Sequence, residues 1–281
     1  MEVITYNIQY CLGRDGRFDA GRIVETIRDA DVVALQEVER FWTRSDDMDQ
    51  CRVIADALPS HYWMFGPTID VLKSTGRGAD AAVDNRRRQF GNMILSRFPI
   101  LSSRNHLLPK YTDPEKFTIQ RGALEATIDA PFGPIRVYST HLCHLSAAQR
   151  LRQVETILAI HGRADADGAV HSGRTPDAWA DETVSPPPPP ADAMLLGDFN
   201  MQPDSPEYGR LVADAFADAW TRAGVGGDGA TLYSDAATRR GIRIDYCFVT
   251  AGLGARLRRV EVLAEAAGSD HQPVRTTFDP D

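Results

Sequence analysis

The sequence predicts an α/β fold, and three observations carry that expectation. Short apolar runs of strand length alternate with stretches whose apolar residues recur at helical spacing. The chain has 281 residues, 43% hydrophobic and 25% charged, which suits one large α/β domain or two small ones. Nearly every apolar run also delivers an acid, an amide or a histidine at or beside one end, as a sheet whose rim carries chemistry would.

Residues 2–8 read as a strand in which Val3, Ile4 and Tyr6 lead into Asn7. Residues 19–30 read as a helix: Ala20, Ile23, Val24 and Ile27 repeat at i, i+3, i+4 and i+7, with Asp19 as N-cap. Residues 31–36 form a short apolar strand running into Glu37, and Met48, Cys51, Ile54, Ala55 and Leu58 give a second helical stripe closed by Pro59. Residues 69–89, poor in apolar groups and rich in Gly and Arg, read as a long loop that carries Arg86, Arg87 and Arg88. Its Gly76 and Gly78 belong to no phosphate-binding G-x-x-x-x-G-K-[ST] loop. Strand character returns over 90–96, which includes Asn92, and Arg97-Phe98-Pro99 turns the chain. Residues 122–129 and 135–140 pair as a hairpin whose second arm ends at His141. Ser146-Ala-Ala-Gln149 fits a capping box opening a helix with Leu151, Val154, Ile157 and Leu158 on one side.

Residues 161–192 lack periodicity and carry five consecutive prolines, Pro186 to Pro190, which cannot join a packed helix or a central strand. A flexible Pro-rich insertion within one domain spanning 1–281 is the expectation, because strand-like segments of matching character lie on both sides. From Met194 the chain reads Met-Leu-Leu-Gly-Asp-Phe-Asn, a buried strand end. Side chains two apart on an extended backbone share a face, so Asp198 and Asn200 are expected on one side. Ser205-Pro206-Glu207 opens a helix with Pro at its first position. Strands follow over 244–250, with Asp245 as second residue, over 256–263, and over 272–278 after Ser269-Asp270-His271.

Composition narrows the partners. A formal charge of −8 and a pI near 5.4 argue against a surface built to track a long polyanion, while leaving room for a local basic pocket. The four cysteines are scattered without a C-x-x-C pair, so no disulfide framework is expected. No run approaches the ~20 apolar residues that span a bilayer, and a soluble, cytoplasmic protein is expected.

The strand ends together offer Asn7, Glu37, His141, Asp198, Asn200, Asp245, Asp270 and His271. Carboxylates gathered at one rim repel each other, so a bound cation explains them economically. Oxygen-rich donors without a Cys/His set favour Mg²⁺ or Mn²⁺, ions held by one or two carboxylates together with waters and substrate phosphate.

These fragments, in order, resemble the endonuclease/exonuclease/phosphatase superfamily: Thr-Tyr-Asn7-Ile, Leu-Gln-Glu37-Val, Ser-Thr-His141-Leu, Leu-Gly-Asp198-Phe-Asn200, Arg-Ile-Asp245-Tyr and Ser-Asp270-His271. The resemblance covers residues 7 to 271 and implies a four-layer α/β sandwich, two mixed sheets face to face with helices outside. It implies that Glu37 is the principal metal ligand, assisted by Asp270 and by Asn7. It implies that Asp198 orients and deprotonates the attacking water, with Asn200 holding water or phosphate. His271 would hydrogen-bond the phosphoryl oxygen, its tautomer fixed by Asp245. His141 in Thr-His-Leu is similar to sphingomyelinase-like, deadenylase-like and inositol-phosphatase-like branches. Arg121 and the Arg86–Arg88 run are candidate phosphate or head-group clamps, since guanidinium forks match phosphate oxygens. Asn92 is a candidate substrate contact, in a segment that flanks the site in the family. The expected function is a divalent-metal-dependent phosphoesterase, foremost a phosphodiesterase acting on a small phosphodiester or phospholipid head group. A DNA or RNA nuclease of the same superfamily is the alternative, and a non-catalytic scaffold a lower one, since no expected ligand is missing.

Overall fold

A computed structural model describes residues 1–73, 85–171, 173, 187–235 and 237–280. In chain order the strands and principal helices are β1 (Glu2–Asn7), α1 (Ala20–Ile27), β2 (Val32–Arg40), α2 (Gln50–Ala57), β3 (Tyr62–Leu72), β4 (Arg87–Ser96), β5 (Ile100–Leu107), β6 (Gly122–Ala130), β7 (Gly133–His141) and α3 (Ala147–Gly162). They continue with α4 (Ala164–Asp167), β8 (Ala193–Asp198), α5 (Pro206–Val212), β9 (Ala217–Asp218), β10 (Leu232–Asp235), β11 (Arg240–Ile242), β12 (Asp245–Val249), β13 (Leu257–Val262) and β14 (Val274–Phe278). One six-stranded sheet runs β13-β14-β1-β2-β4-β3 and the other β5-β6-β7-β8-β12-β9, while β10 and β11 form a small ribbon. Both sheets are mixed, with β1–β2 and β7–β8 parallel inside otherwise antiparallel order.

Apolar burial sets the layers. Val3, Val32, Ala34 and Ile94 of the first sheet pack against Leu124, Ala126, Val137, Met194 and Leu196 of the second. The outer face of the first sheet packs Ile4, Leu35 and Leu95 against Ile23, Ile27 and Ile54 of α1 and α2. The outer face of the second packs Tyr138, Leu195 and Phe248 against Val154, Ile157 and Leu211 of α3 and α5. The result is the four-layer order of helix, sheet, sheet, helix. The helices α1, α2, α3 and α5 each start where a short polar side chain satisfies a free backbone N–H. Asp19 accepts from Gly21, Asp49 from Arg52, Ser146 from Gln149 and Ser205 from Tyr208. The expected capping box at Ser146 is only half formed, because Gln149 turns its Oε1 to the Tyr111 N–H at 3.3 Å.

Towards the functional rim the space between the sheets becomes polar, and hydrogen bonds join the two sheets across it. Gln36 Nε2 donates to Ser139 Oγ at 3.1 Å, and Ser139 Oγ donates to Leu35 O at 3.2 Å. Asn92 Nδ2 donates to Gly122 O and Ser139 O, both at 3.1 Å. Buried polar groups of this kind fix one relative placement of the sheets, because an unpaired one is penalised.

Several expectations need correction. Residues 69–89 are not all loop: β3 extends to Leu72 and β4 starts at Arg87, paired Leu72 to Arg87 and Asp70 to Gln89. An edge pair with an exposed outer face needs few apolar residues, so its polarity misleads. The Gly76 and Gly78 reading lies outside the described residues. So does most of the expected insertion, including Pro186; its described beginning is helical, completing α3 and forming α4. Pro187 to Pro190 carry no regular structure. Asp245 is the first residue of its strand, not the second. Among the described residues no helix is long and apolar enough to cross a membrane, and the four cysteines are buried and free.

Candidate active site

Strand register brings the chemistry together. Asp198 ends β8 between His141 on parallel β7 and Asp245 on antiparallel β12, each directly opposite it. In the facing sheet Asn7 ends β1 opposite Gln36, one residue before Glu37. The β2–β4 pairing jumps from Leu35 to Val38, and the bulge holds Glu37 at φ +59°. Asn200 sits at φ +50°, so it reaches the site through a left-handed turn and not by strand alternation. Gln9, Tyr10 and Cys11, just after β1, are also left-handed, at 42°, 44° and 66°. Non-glycine residues in this region are strained, and here they mark three of the loops that build the rim.

Asp198 is the hub. Its Oδ2 accepts from Asn7 Nδ2 at 2.9 Å and its Oδ1 from the Asn200 N–H at 2.9 Å. His141 Nε2 and His271 Nε2 lie 3.3 and 3.8 Å from Oδ2. His271 Nδ1 donates to Asp245 Oδ2 at 2.8 Å, which turns Nε2 towards Asp198. Asn200 Nδ2 donates to His141 Nε2 at 3.1 Å, which leaves the proton of a neutral imidazole on Nδ1. That Nδ1 is buried, has no hydrogen-bond partner among the described residues, and lies 3.8 Å from Glu37 Oε1.

Burial and charge set the protonation states. Burial pushes the Asp198 carboxyl up to about 7, with the Asp245 charge adding and His271 opposing. For His271 burial works against the cation, but Asp245 and then Asp198 prevail and hold its pKa at about 10. His141 is held well below its ordinary value by burial and by the Arg121 charge, so it is neutral. Burial raises Glu37, whose side chain is 21% exposed; Arg121 and His271 oppose, and Asp270 adds to the rise.

These groups open onto a cavity of about 350 Å³ whose polar lining includes Glu37, Asp198, Asn200, His271, His141 and Arg121. Arg121 is buried, donates Nη2 to His144 Nδ1 at 3.2 Å, and keeps Nη1 without a partner among the described residues. Glu37 and Asp270 interact unfavourably as like charges beside the Asn7 amide, which donates to Glu37 Oε1 at 3.3 Å. Asp270 accepts from Gln9 Nε2 at 2.9 Å and from Ser269 Oγ at 3.2 Å. This is an oxygen donor set whose repulsion a hard divalent cation would relieve, and it fits one. Asp198, Asp245 and His271 also offer ligand atoms within 4.8 Å of one another. There the His271 proton already joins the group to Asp245, so it is better described as a hydrogen-bonded triad.

The family model described as Endonuclease/Exonuclease/phosphatase family matches residues 4–271. The chain belongs to this family. Membership carries the coarse class of chemistry, hydrolysis of phosphate esters. Among solved structures, an endonuclease/exonuclease/phosphatase from Beutenbergia cavernae shares 24% identity at a TM-score of 0.70, over 99% of this chain and 72% of that one. A mannosyl-6-phosphatase from Bacteroides thetaiotaomicron shares 17% at 0.68, over 99% of both chains. A 3′ phosphatase from Neisseria, bound to product DNA hairpin, shares 16% at 0.62, again over 99% of both. These likenesses establish the fold. A search of the curated proteins finds no match.

Not every candidate of this family member reaches the cavity. Asn92 lies beneath it, its amide donating to two carbonyls of the facing sheet. A strand residue's alternation gives its face but not what that face meets. Arg87 Nε donates to Asp70 Oδ1 at 2.7 Å across the β3–β4 pair, and Arg86 is exposed at the strand entry. The Arg88 guanidinium lies 5.2 Å from the Trp42 ring. None of the three arginines lines the cavity. Gln9, Tyr10, Trp42, Arg44 and Phe117 also stand at the site, and no motif in the sequence marks them. Gln9 and Tyr10 lie two and three residues after Asn7, a signal the sequence does carry, whereas Phe117 stands in a loop without pattern.

Proposed function

We propose that this chain is a divalent-metal-dependent phosphodiesterase that hydrolyses a small phosphodiester, such as a phospholipid head-group ester, by in-line attack of water on phosphorus. One observation carries the reading: a buried carboxylate, Asp198, stands 3.8 Å from an imidazole that a second carboxylate keeps cationic, at the lining of one cavity. Asp198, with a pKa raised to about 7, is suited to take the proton of the attacking water near neutral pH. His271 Nε2–H and the free Nη1 of Arg121 are donors for the non-bridging oxygens as charge builds on them. The Nδ1–H of His141 is a neutral donor in the same lining. Asn200 fixes both Asp198 and His141, and Asn7 ties Asp198 to Glu37. Glu37 and Asp270, with Asn7 beside them, would hold Mg²⁺ or Mn²⁺, which when bound supplies Lewis-acid stabilisation of the phosphoryl group. A cavity of about 350 Å³ lies at the lower end of small-molecule sites and suits a compact ester.

Side-by-side assays of bis-p-nitrophenyl phosphate, a choline phospholipid, a sugar phosphate and an abasic-site duplex, with and without Mg²⁺, test this. Mg²⁺-dependent turnover of a small diester is expected, with kcat lowered by about 10²–10⁴ in Asp198→Asn. Near-wild-type turnover in a folded Asp198→Asn protein contradicts the assignment. Turnover confined to the duplex, with steep salt dependence, would make it a nuclease instead.

A further inference from the structure

On that reading of the site, we infer that the apolar part of the cavity lining is a subsite for a flat aromatic group on the leaving side of the phosphate ester. Phosphoryl transfer itself needs only the polar lining. Yet the same cavity is bounded by Trp42, Ile69, Phe90, Phe117 and Ile119. They come from separate segments, the stretch just after β2, the β3–β4 pair and the loop between β5 and β6, and converge on one space.

Several polar groups beside this wall are already engaged, although Arg121 Nη1 and Arg88 Nε keep no partner among the described residues. Trp42 Nε1 donates to Gln89 O at 2.7 Å, which also fixes the indole. Arg44 Nε donates to the buried Glu39 at 2.9 Å, and its guanidinium covers the Tyr10 ring at 4.1 Å. His144 Nδ1 accepts from Arg121. A hydroxyl-rich leaving group such as a sugar would therefore meet few open partners there, and burying unpaired hydroxyls is penalised. An aromatic ring needs none, and it gains from offset or edge-on contact with Trp42, Phe90 and Phe117. Phe90 is 5% exposed and forms fixed wall; Phe117, at 85%, is poised to cover a ring that enters.

Calorimetric titration of the Mg²⁺-supplemented full chain with 2-naphthylphosphonate and with methylphosphonate tests this without requiring turnover. The naphthyl compound is expected to bind at least tenfold more tightly, and Phe117→Ser to shrink that ratio at least threefold. Phe117 is too exposed for its loss to unsettle the fold, and Phe90→Leu, which keeps apolar bulk, serves as the second variant with a smaller reduction. Equal affinity of the two phosphonates in the wild-type protein overturns the subsite even where Mg²⁺-dependent hydrolysis is normal. Naphthyl-selective binding lost in Phe117→Ser, in a protein that hydrolyses no ester, supports the subsite and overturns the phosphoesterase reading instead.

Discussion

Asn200 shows how much one side chain can carry at this rim. Its backbone N–H donates to Asp198, its amide donates to His141 and to Leu142 O at 3.2 Å, and its φ is +50°. Asparagine tolerates the left-handed region better than most residues, and glycine tolerates it freely. Asn200→Gly should therefore be more stable than Asn200→Ala by about 1–2 kcal/mol in urea unfolding. Both should lose activity, because both release His141. Equal stabilities for the two variants would count against the strain. A second titration lies away from the site, at His161, whose Nδ1 accepts from Arg136 Nη2 at 3.0 Å. Burial, then the Arg136 charge, lowers His161 from 6.5 to about 4. Between those values the unfolded chain binds a proton that the folded chain refuses, so stability falls as pH drops from 6.5 towards 4. The urea midpoint of His161→Gln should fall less between about pH 7 and pH 5 than that of the wild type; an identical fall would contradict this. At this scale the sequence was legible where a polar residue ends an apolar run, as Asp198 and Asn7 do. Asn92 and Arg87 show the limit, because strand position alone does not say whether a polar side chain meets substrate, a carbonyl or a neighbouring acid.

Among the elements, the β7–β8 pair decides whether the site assembles. His141 faces Asp198 only because Gly197 lets the two strands close beside Thr140. Gly197 has φ +149°, and a Cβ there would lie 1.9 Å from Thr140 O. Gly197→Ala should force β7 from β8, costing about 3 kcal/mol or more and separating His141 from Asp198. A wild-type denaturation midpoint in this variant would show that the strands have slack. The Leu-Gly-Asp fragment announced a strand end, but not that its glycine is a contact point between strands. Helices were the most legible elements, since caps and apolar stripes are local signals, as Asp19 with Ile23 and Ile27 illustrates. Edge strands were the least. Residues 100–107, with Ser102, Ser103, Arg104 and Asn105 in sequence, pair as β5 without a pattern that declares it.

For the whole molecule, the four-layer sandwich aligns two independent sheets so that their rims meet. Glu37 and Asn7 come from one sheet, and Asp198, His141 and Asp245 from the other. No periodicity contains that juxtaposition; it came from the order of the family fragments, and the register explains it. The meeting of the sheets also brings acidic groups together, and a hard cation is the natural counterweight. Chelation with EDTA should abolish hydrolysis, and Mg²⁺ or Mn²⁺ should restore it, while Glu37→Gln should need far more metal for half-maximal rate. Unchanged activity after exhaustive chelation would remove the metal from the account.

The proposed mechanism rests on one divalent ion held by Glu37, in β2, and Asp270, just before β14, at the rim of the first sheet. Anomalous scattering from a crystal soaked in Mn²⁺ tests it most directly. A single strong peak is expected within coordination distance of both carboxylates, about 2.0–2.5 Å, as is its loss in Glu37→Gln. A peak among Asp198, Asp245 and His271 alone, with Glu37 and Asp270 unoccupied, would contradict it.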